Sequence, residues 1–127
     1  MADNASENQI RTVVENWAQA VRAGDIDGVL AHHTDDVVMF DVPPPLQLKG
    51  IAEYRKAWEP FLSFVGKDGF DVIDLVITAG RDVAFCHSLL RIGKEAEPVV
   101  RLTLGFRKVG GEWLITHEHH SAPIDVT

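Results

Sequence analysis

Apolar residues recur at Ile10, Val13, Val14, Trp17 and Val21, a spacing of three and four that lays one stripe along a helix. Ser6 followed by Gln9 forms a capping-box start, and Gly24 supplies the stop. Asp25 then caps a second, short helix bearing Ile26, Val29 and Leu30, which Asp35-Asp36 terminate. His32-His33 falls at the end of that helix, where cations interact favourably with the dipole. Val37 to Val42 is β-branched and apolar and predicts a strand, closed by Pro43-Pro44-Pro45. Helical spacing returns after Gly50 with Ile51, Tyr54, Trp58, Phe61 and Leu62, and Pro60 is expected to bend or shorten this helix near its end.

From Phe70 onward the pattern changes to that of strands. Phe70 to Thr78 and Val83 to Ile92 are two runs separated by the turn Ala79-Gly80-Arg81-Asp82. Val99 to Lys108 alternates, with Val100, Leu102, Leu104 and Phe106 against Arg101, Thr103, Gly105 and Arg107. Val109-Gly110-Gly111-Glu112 is a hairpin turn, and Trp113 to Ser121 is the last strand. Strands in succession with short turns pair mainly antiparallel, and the leading helices cover one face of their sheet. The fold class is α+β.

Composition narrows the function classes. At 127 residues, 46% apolar and 24% charged, the chain reads as a single domain over residues 1–127 with a core of its own. Twelve Lys and Arg against 19 Asp and Glu give a formal charge of −7, which lacks the basic excess of a nucleic-acid binder. A single cysteine, Cys86, excludes an internal disulfide and reads as a small buried hydrophobe. No apolar run suits a membrane span, and Asp3, Glu7 and Arg11 stand where a signal peptide needs apolar residues, so a cytoplasmic protein is expected.

Candidate chemistry concentrates in the last strand. Strict alternation puts Trp113, Ile115, His117, His119 and Ser121 on one face, and Leu114, Thr116, Glu118 and His120 on the other. Arg101 and Thr103 on the neighbouring strand could converge with His117 and His119, a mixture that suits a ligand pocket or a merely solvated sheet face. His87, His117 and His119 invite a metal reading, but Arg101 beside them would repel the ion, so no metal is expected. Asp41 ends an apolar strand, where a carboxylate can serve as acid or base, or can simply cap the proline loop. Ser88 and Ser121 lack the glycines of a nucleophile elbow.

Ala23-Gly24-Asp25-Ile26-Asp27-Gly28, Thr34-Asp35-Asp36-Val37 and Lys49-Gly50-Ile51, in that order, resemble the ketosteroid-isomerase-like branch of the NTF2-like superfamily. The ending Gly111-Glu112-Trp113-Leu114-Ile115, followed by His117-Glu118-His119-His120-Ser121-Ala122-Pro123, is similar to its SnoaL-like members, as is the preceding Arg101-Leu102-Thr103. The resemblance implies a cystatin-like cone: a strongly curved, mainly antiparallel sheet wrapped around about three N-terminal helices, with a central pocket. It also implies a homodimer formed through the sheet face. Asp41 falls where the isomerases keep their proton-shuttling Asp, but their oxyanion donors fall at Trp17 and near Thr103. Without those donors steroid isomerisation is not expected.

The resulting expectation is a pocket for a small carbonyl or carboxylate compound. Asp41, His117 and His119 would be the catalytic groups, with Arg101, Thr103 and His87 as ligand contacts and Arg101 anchoring an anion. Trp17, Phe40, Tyr54, Trp58 and Trp113 would supply walls, with no cofactor. Enzyme status stays open: the alternative is a non-catalytic dimeric module resembling the association domain of a calmodulin-dependent kinase.

Overall fold

The computed structural model describes residues 4–64 and 68–126. Helix α1 (Asn4–Ala23) starts before Ser6, which is itself buried on the helix's inward stripe with Ile10, Val14, Trp17 and Val21 rather than capping the first turn. Gly24, at φ +69°, closes α1, and its N–H reaches back to the Val21 carbonyl at 3.1 Å. Asp25 caps α2 (Ile26–Leu30) by accepting from the Gly28 N–H. Helix α3 (Ile51–Phe64) runs on through Pro60.

Six strands form one sheet among the described residues: β1 (His33–Phe40), β2 (Leu48–Lys49), β3 (Phe70–Ala79), β4 (Val83–Ile92), β5 (Val100–Val109) and β6 (Glu112–Ser121). Their order is β2-β1-β6-β5-β4-β3, antiparallel except that β1 runs parallel to β6. Strand β1 starts earlier than the hydrophobic pattern suggests. Asp35 and Asp36 do not stop a helix; they are exposed residues inside a strand. They are tolerated because β2 pairs only with Val38 and Met39, leaving the start of β1 without a neighbour on that side.

The helices cover one sheet face. Between them lies a core of Ile10, Val14, Trp17 and Tyr54 from the helices and Phe70, Leu90, Leu102, Leu104, Phe106 and Ile115 from the strands. Cys86 is buried in it, and that burial pushes its thiol up to about 12, so it acts as packing rather than as a nucleophile. Among the described residues the opposite sheet face carries no helix, and Phe40, Val76, Val83, Phe85 and Leu89 are exposed there. Among the described residues no helix is long and apolar enough to cross a membrane.

Candidate functional site

A bulge in β6 decides which polar residues reach the interior. Gly105 of β5 opposes His117 and Phe106 opposes Ile115, so Thr116 is an extra residue without a partner. One inserted residue reverses the inside–outside alternation beyond it. Trp113 and Ile115 point into the core before the bulge; after it Glu118 and His120 do, while His117 and His119 turn outward. The expected shared face of Trp113, Ile115, His117 and His119 is therefore split in two.

Glu118 is fully buried and holds both carboxylate oxygens in place. The Tyr54 hydroxyl donates to Oε1 at 2.8 Å and itself accepts from Trp17 Nε1 at 3.2 Å. His120 Nε2 lies 2.7 Å from Oε2, and His33 Nε2 lies 3.6 Å from Oε1. His33 Nδ1 faces the Ala31 carbonyl at 3.0 Å, and since a carbonyl only accepts, Nδ1 carries a proton. His33 is thus a buried neighbour of Glu118 at the start of β1 rather than a residue at a helix end.

These contacts set the charges. Burial alone would raise the Glu118 carboxyl, but the His120 hydrogen bond, with the His33 ring 3.6 Å away, outweighs it and leaves the group at about 2. Burial would likewise lower His120, yet the Glu118 hydrogen bond and charge, with a smaller effect from Asp41, raise it above its ordinary value. Burial and the Glu118 charge push the Tyr54 hydroxyl well up, so it stays a donor. The result is a carboxylate–imidazolium pair. With Nε2 committed to Glu118, His120 has Nδ1 left, which bonds no described residue.

His120 borders a cavity of about 340 Å³. Trp58, Phe61 and Phe70 give it aromatic walls, and Met39, Ile92 and Val100 add aliphatic ones. Trp58 packs edge-on against His120 with ring centroids 5.9 Å apart. Val42, Pro43, Ala57 and Pro60 complete the lining, and its two ionisable groups are His120 and Asp41. Asp41 is half-buried just past the end of β1, one oxygen accepting from the Val42 N–H at 2.8 Å. It both bonds within the proline loop and faces the cavity.

The other expected site residues lie elsewhere. Arg101, Thr103, His117 and His119 do come together, but on the uncovered sheet face. There Arg101 Nε donates to Ser121 Oγ at 3.0 Å, and Phe40 packs on His117 and His119 at 4.8 and 5.3 Å between centroids. His87 and His119 both register against Thr103, on opposite sides of it, so two strand spacings, roughly 9–10 Å, separate them. Among the described residues no group of three or more His, Cys, Asp or Glu is placed to hold a metal ion. Trp17 and Tyr54 stand behind the cavity wall as the hydrogen-bond chain to Glu118, and Trp113 is buried outside the lining. Glu118, His120 and His33 were missed as site residues; an acid and a histidine at i and i+2 on one face was the available signal.

The SnoaL-like domain family model matches residues 10–125, and the chain belongs to that family. An NTF2-like protein of unknown function from Pseudomonas putida KT2440 is 37% identical, with 99% of this chain and 92% of that one covered at a TM-score of 0.89. A protein of unknown function with a cystatin-like fold from Nostoc punctiforme is 15% identical, with 96% and 94% covered at a TM-score of 0.78. The α+β cone is the fold of this group. Structures provisionally named as a dehydratase, an aromatic ring hydroxylase, a ketosteroid isomerase and a kinase association domain share it at 18–19% identity. Likeness that low shows the fold alone, and one fold hosts many chemistries. No curated protein matches the sequence.

Proposed function

We propose that the protein binds a small, apolar carbonyl compound in the Asp41–His120 cavity and moves a proton on it without a cofactor. The observation that carries this reading is the Glu118-backed His120 imidazole in an otherwise apolar cavity that also contains a carboxylate. Asp41 takes a proton from the carbon next to the carbonyl, and His120 gives one to the carbonyl oxygen as charge develops there. Asp41 then delivers a proton, its own or one exchanged with solvent, to the same carbon or to another one while the enol hydroxyl returns its proton to His120, which completes an exchange or an isomerisation. Glu118 acts through His120: it fixes the ring and stabilises its protonated form.

Butyrophenone in D2O tests this. The protein should accelerate deuterium uptake at the carbon beside the carbonyl, and Asp41→Asn should abolish the acceleration while leaving ketone binding within about threefold. Uptake at the buffer rate with wild-type protein overturns the catalytic reading.

A second reading is carried by the uncovered sheet face. Val76, Val83, Phe85 and Leu89 of the adjacent strands β3 and β4 expose apolar side chains together on it. We propose that two copies pair through this face. Sedimentation should give a dimer at micromolar concentration that Phe85→Glu converts to monomer; a wild-type monomer at that concentration removes the idea.

A further inference from the structure

We propose that the site has a second compartment, and that its ligand is an elongated, uncharged molecule ending in an amide-like tail. This rests on the cavity reading above and adds the shape and chemistry of what binds there. A second cavity of about 320 Å³ adjoins the first and shares Asp41, Pro43, Ala57 and Pro60 with it. Pro44, Pro45, Leu48, Glu53 and Lys56 complete its lining. Because Asp41 borders both spaces, a molecule whose reacting group sits at Asp41 has room on either side.

The inner space suits an apolar head. A dry apolar cavity of about 150 Å³ holds one benzene ring, so about 340 Å³ takes one to two rings. The outer space differs in chemistry. Glu53 is held in place, because its Oε1 accepts the Lys49 N–H at 2.8 Å. Lys56 makes no ion pair or hydrogen bond with the described residues, so its ammonium is available to a ligand. Pro43, Pro44, Pro45 and Pro60 have no N–H to offer, which leaves this wall without the backbone donors that usually hold an anion.

Charge then selects the tail. Asp41 and His120 border the inner space, and Asp41, Glu53 and Lys56 border the outer one, so the inner compartment holds one acid and one cation and the outer one two acids and one cation. A carboxylate tail would gain Lys56 and meet Glu53 and Asp41; an ammonium tail would gain the two acids and meet Lys56. An amide carbonyl accepts from Lys56 while its N–H donates to Glu53, and the tail carries no charge for Lys56, Glu53 or Asp41 to repel.

Three probes with one head separate these cases by calorimetric titration: butyrophenone, N-methylbenzoylpropionamide and benzoylpropionate. The amide should bind about three- to tenfold more tightly than butyrophenone, the effect of one or two net hydrogen bonds. Benzoylpropionate should bind no more tightly than butyrophenone. Lys56→Met should remove the amide's advantage and leave butyrophenone unchanged. An amide no tighter than butyrophenone, an advantage that survives Lys56→Met, or benzoylpropionate as the tightest of the three each overturns the proposal. Butyrophenone binding with no effect of any tail removes the second compartment alone, whereas binding of none of the three removes the cavity reading with it.

Discussion

His120 Nε2 and Glu118 Oε2 lie 2.7 Å apart on the same inner face of β6, with Glu118 shut off from water and His120 bordering the cavity. A charged pair so placed is stable only while both members are ionised and every remaining carboxylate lone pair is met. Tyr54 meets one of them.

Removing that partner should be expensive. Tyr54→Phe leaves Glu118 Oε1 and Trp17 Nε1 short of a bond in the core. A loss of about 1–3 kcal/mol is expected from urea unfolding, the usual penalty for stranded buried groups. A loss below about half a kcal/mol would mean that the chain contributes little to holding Glu118.

The pair also fixes a pH window for stability. Glu118 is lowered from 4.5 to about 2 in the folded protein, so its contribution is full above 4.5 and is lost as the pH falls towards 2. His120 is raised above 6.5, so its contribution is full below 6.5 and is lost as the pH rises through its folded value. The pair is therefore strongest between about pH 4.5 and 6.5. Thermal melts across that range should show wild type losing its margin over Glu118→Gln on both sides; a constant margin contradicts the charge assignment.

The bulge separates working residues from silent ones. His117→Gln, His119→Gln and Arg101→Ala alter the uncovered face, so each should leave butyrophenone binding within about twofold of wild type at protein concentrations where the oligomeric state is unchanged. His120→Gln should weaken it and stop deuterium uptake. The same titration on all four variants decides the matter, and a large effect from Arg101→Ala would move the site to the other side of the sheet.

Ala57 borders both compartments, so filling it should close them together. Ala57→Phe should weaken butyrophenone at least tenfold while the melting temperature moves by only a few degrees. Unchanged binding would place the ligand elsewhere.

Much of the fold was legible along the chain. The runs 83–92 and 70–78 match their strands to within a residue, because β-branched apolar residues between glycine-rich turns leave little choice. Asp25, Gly24 and the covering of one sheet face by helices were readable for the same local reasons. The site was legible in part: Asp41 and Trp58 line the cavity. His120 was hidden by Thr116, because a bulge is set by pairing with Gly105 across the sheet and not by its own neighbours in sequence. His33 was hidden for a related reason. It acquires its place from a parallel strand more than eighty residues later, opposite Ile115.

The central claim is that His120 carries the proton facing the cavity. NMR of the histidine rings, titrated with and without butyrophenone, tests it directly, since the chain has six histidines and only their rings need be followed. His120 should remain protonated above pH 6.5, titrate lower in Glu118→Gln, and shift on adding the ketone while His117 and His119 stay still. A His120 ring that is neutral at pH 6.5, or one that does not respond to the ketone when His117 and His119 do, would contradict the account.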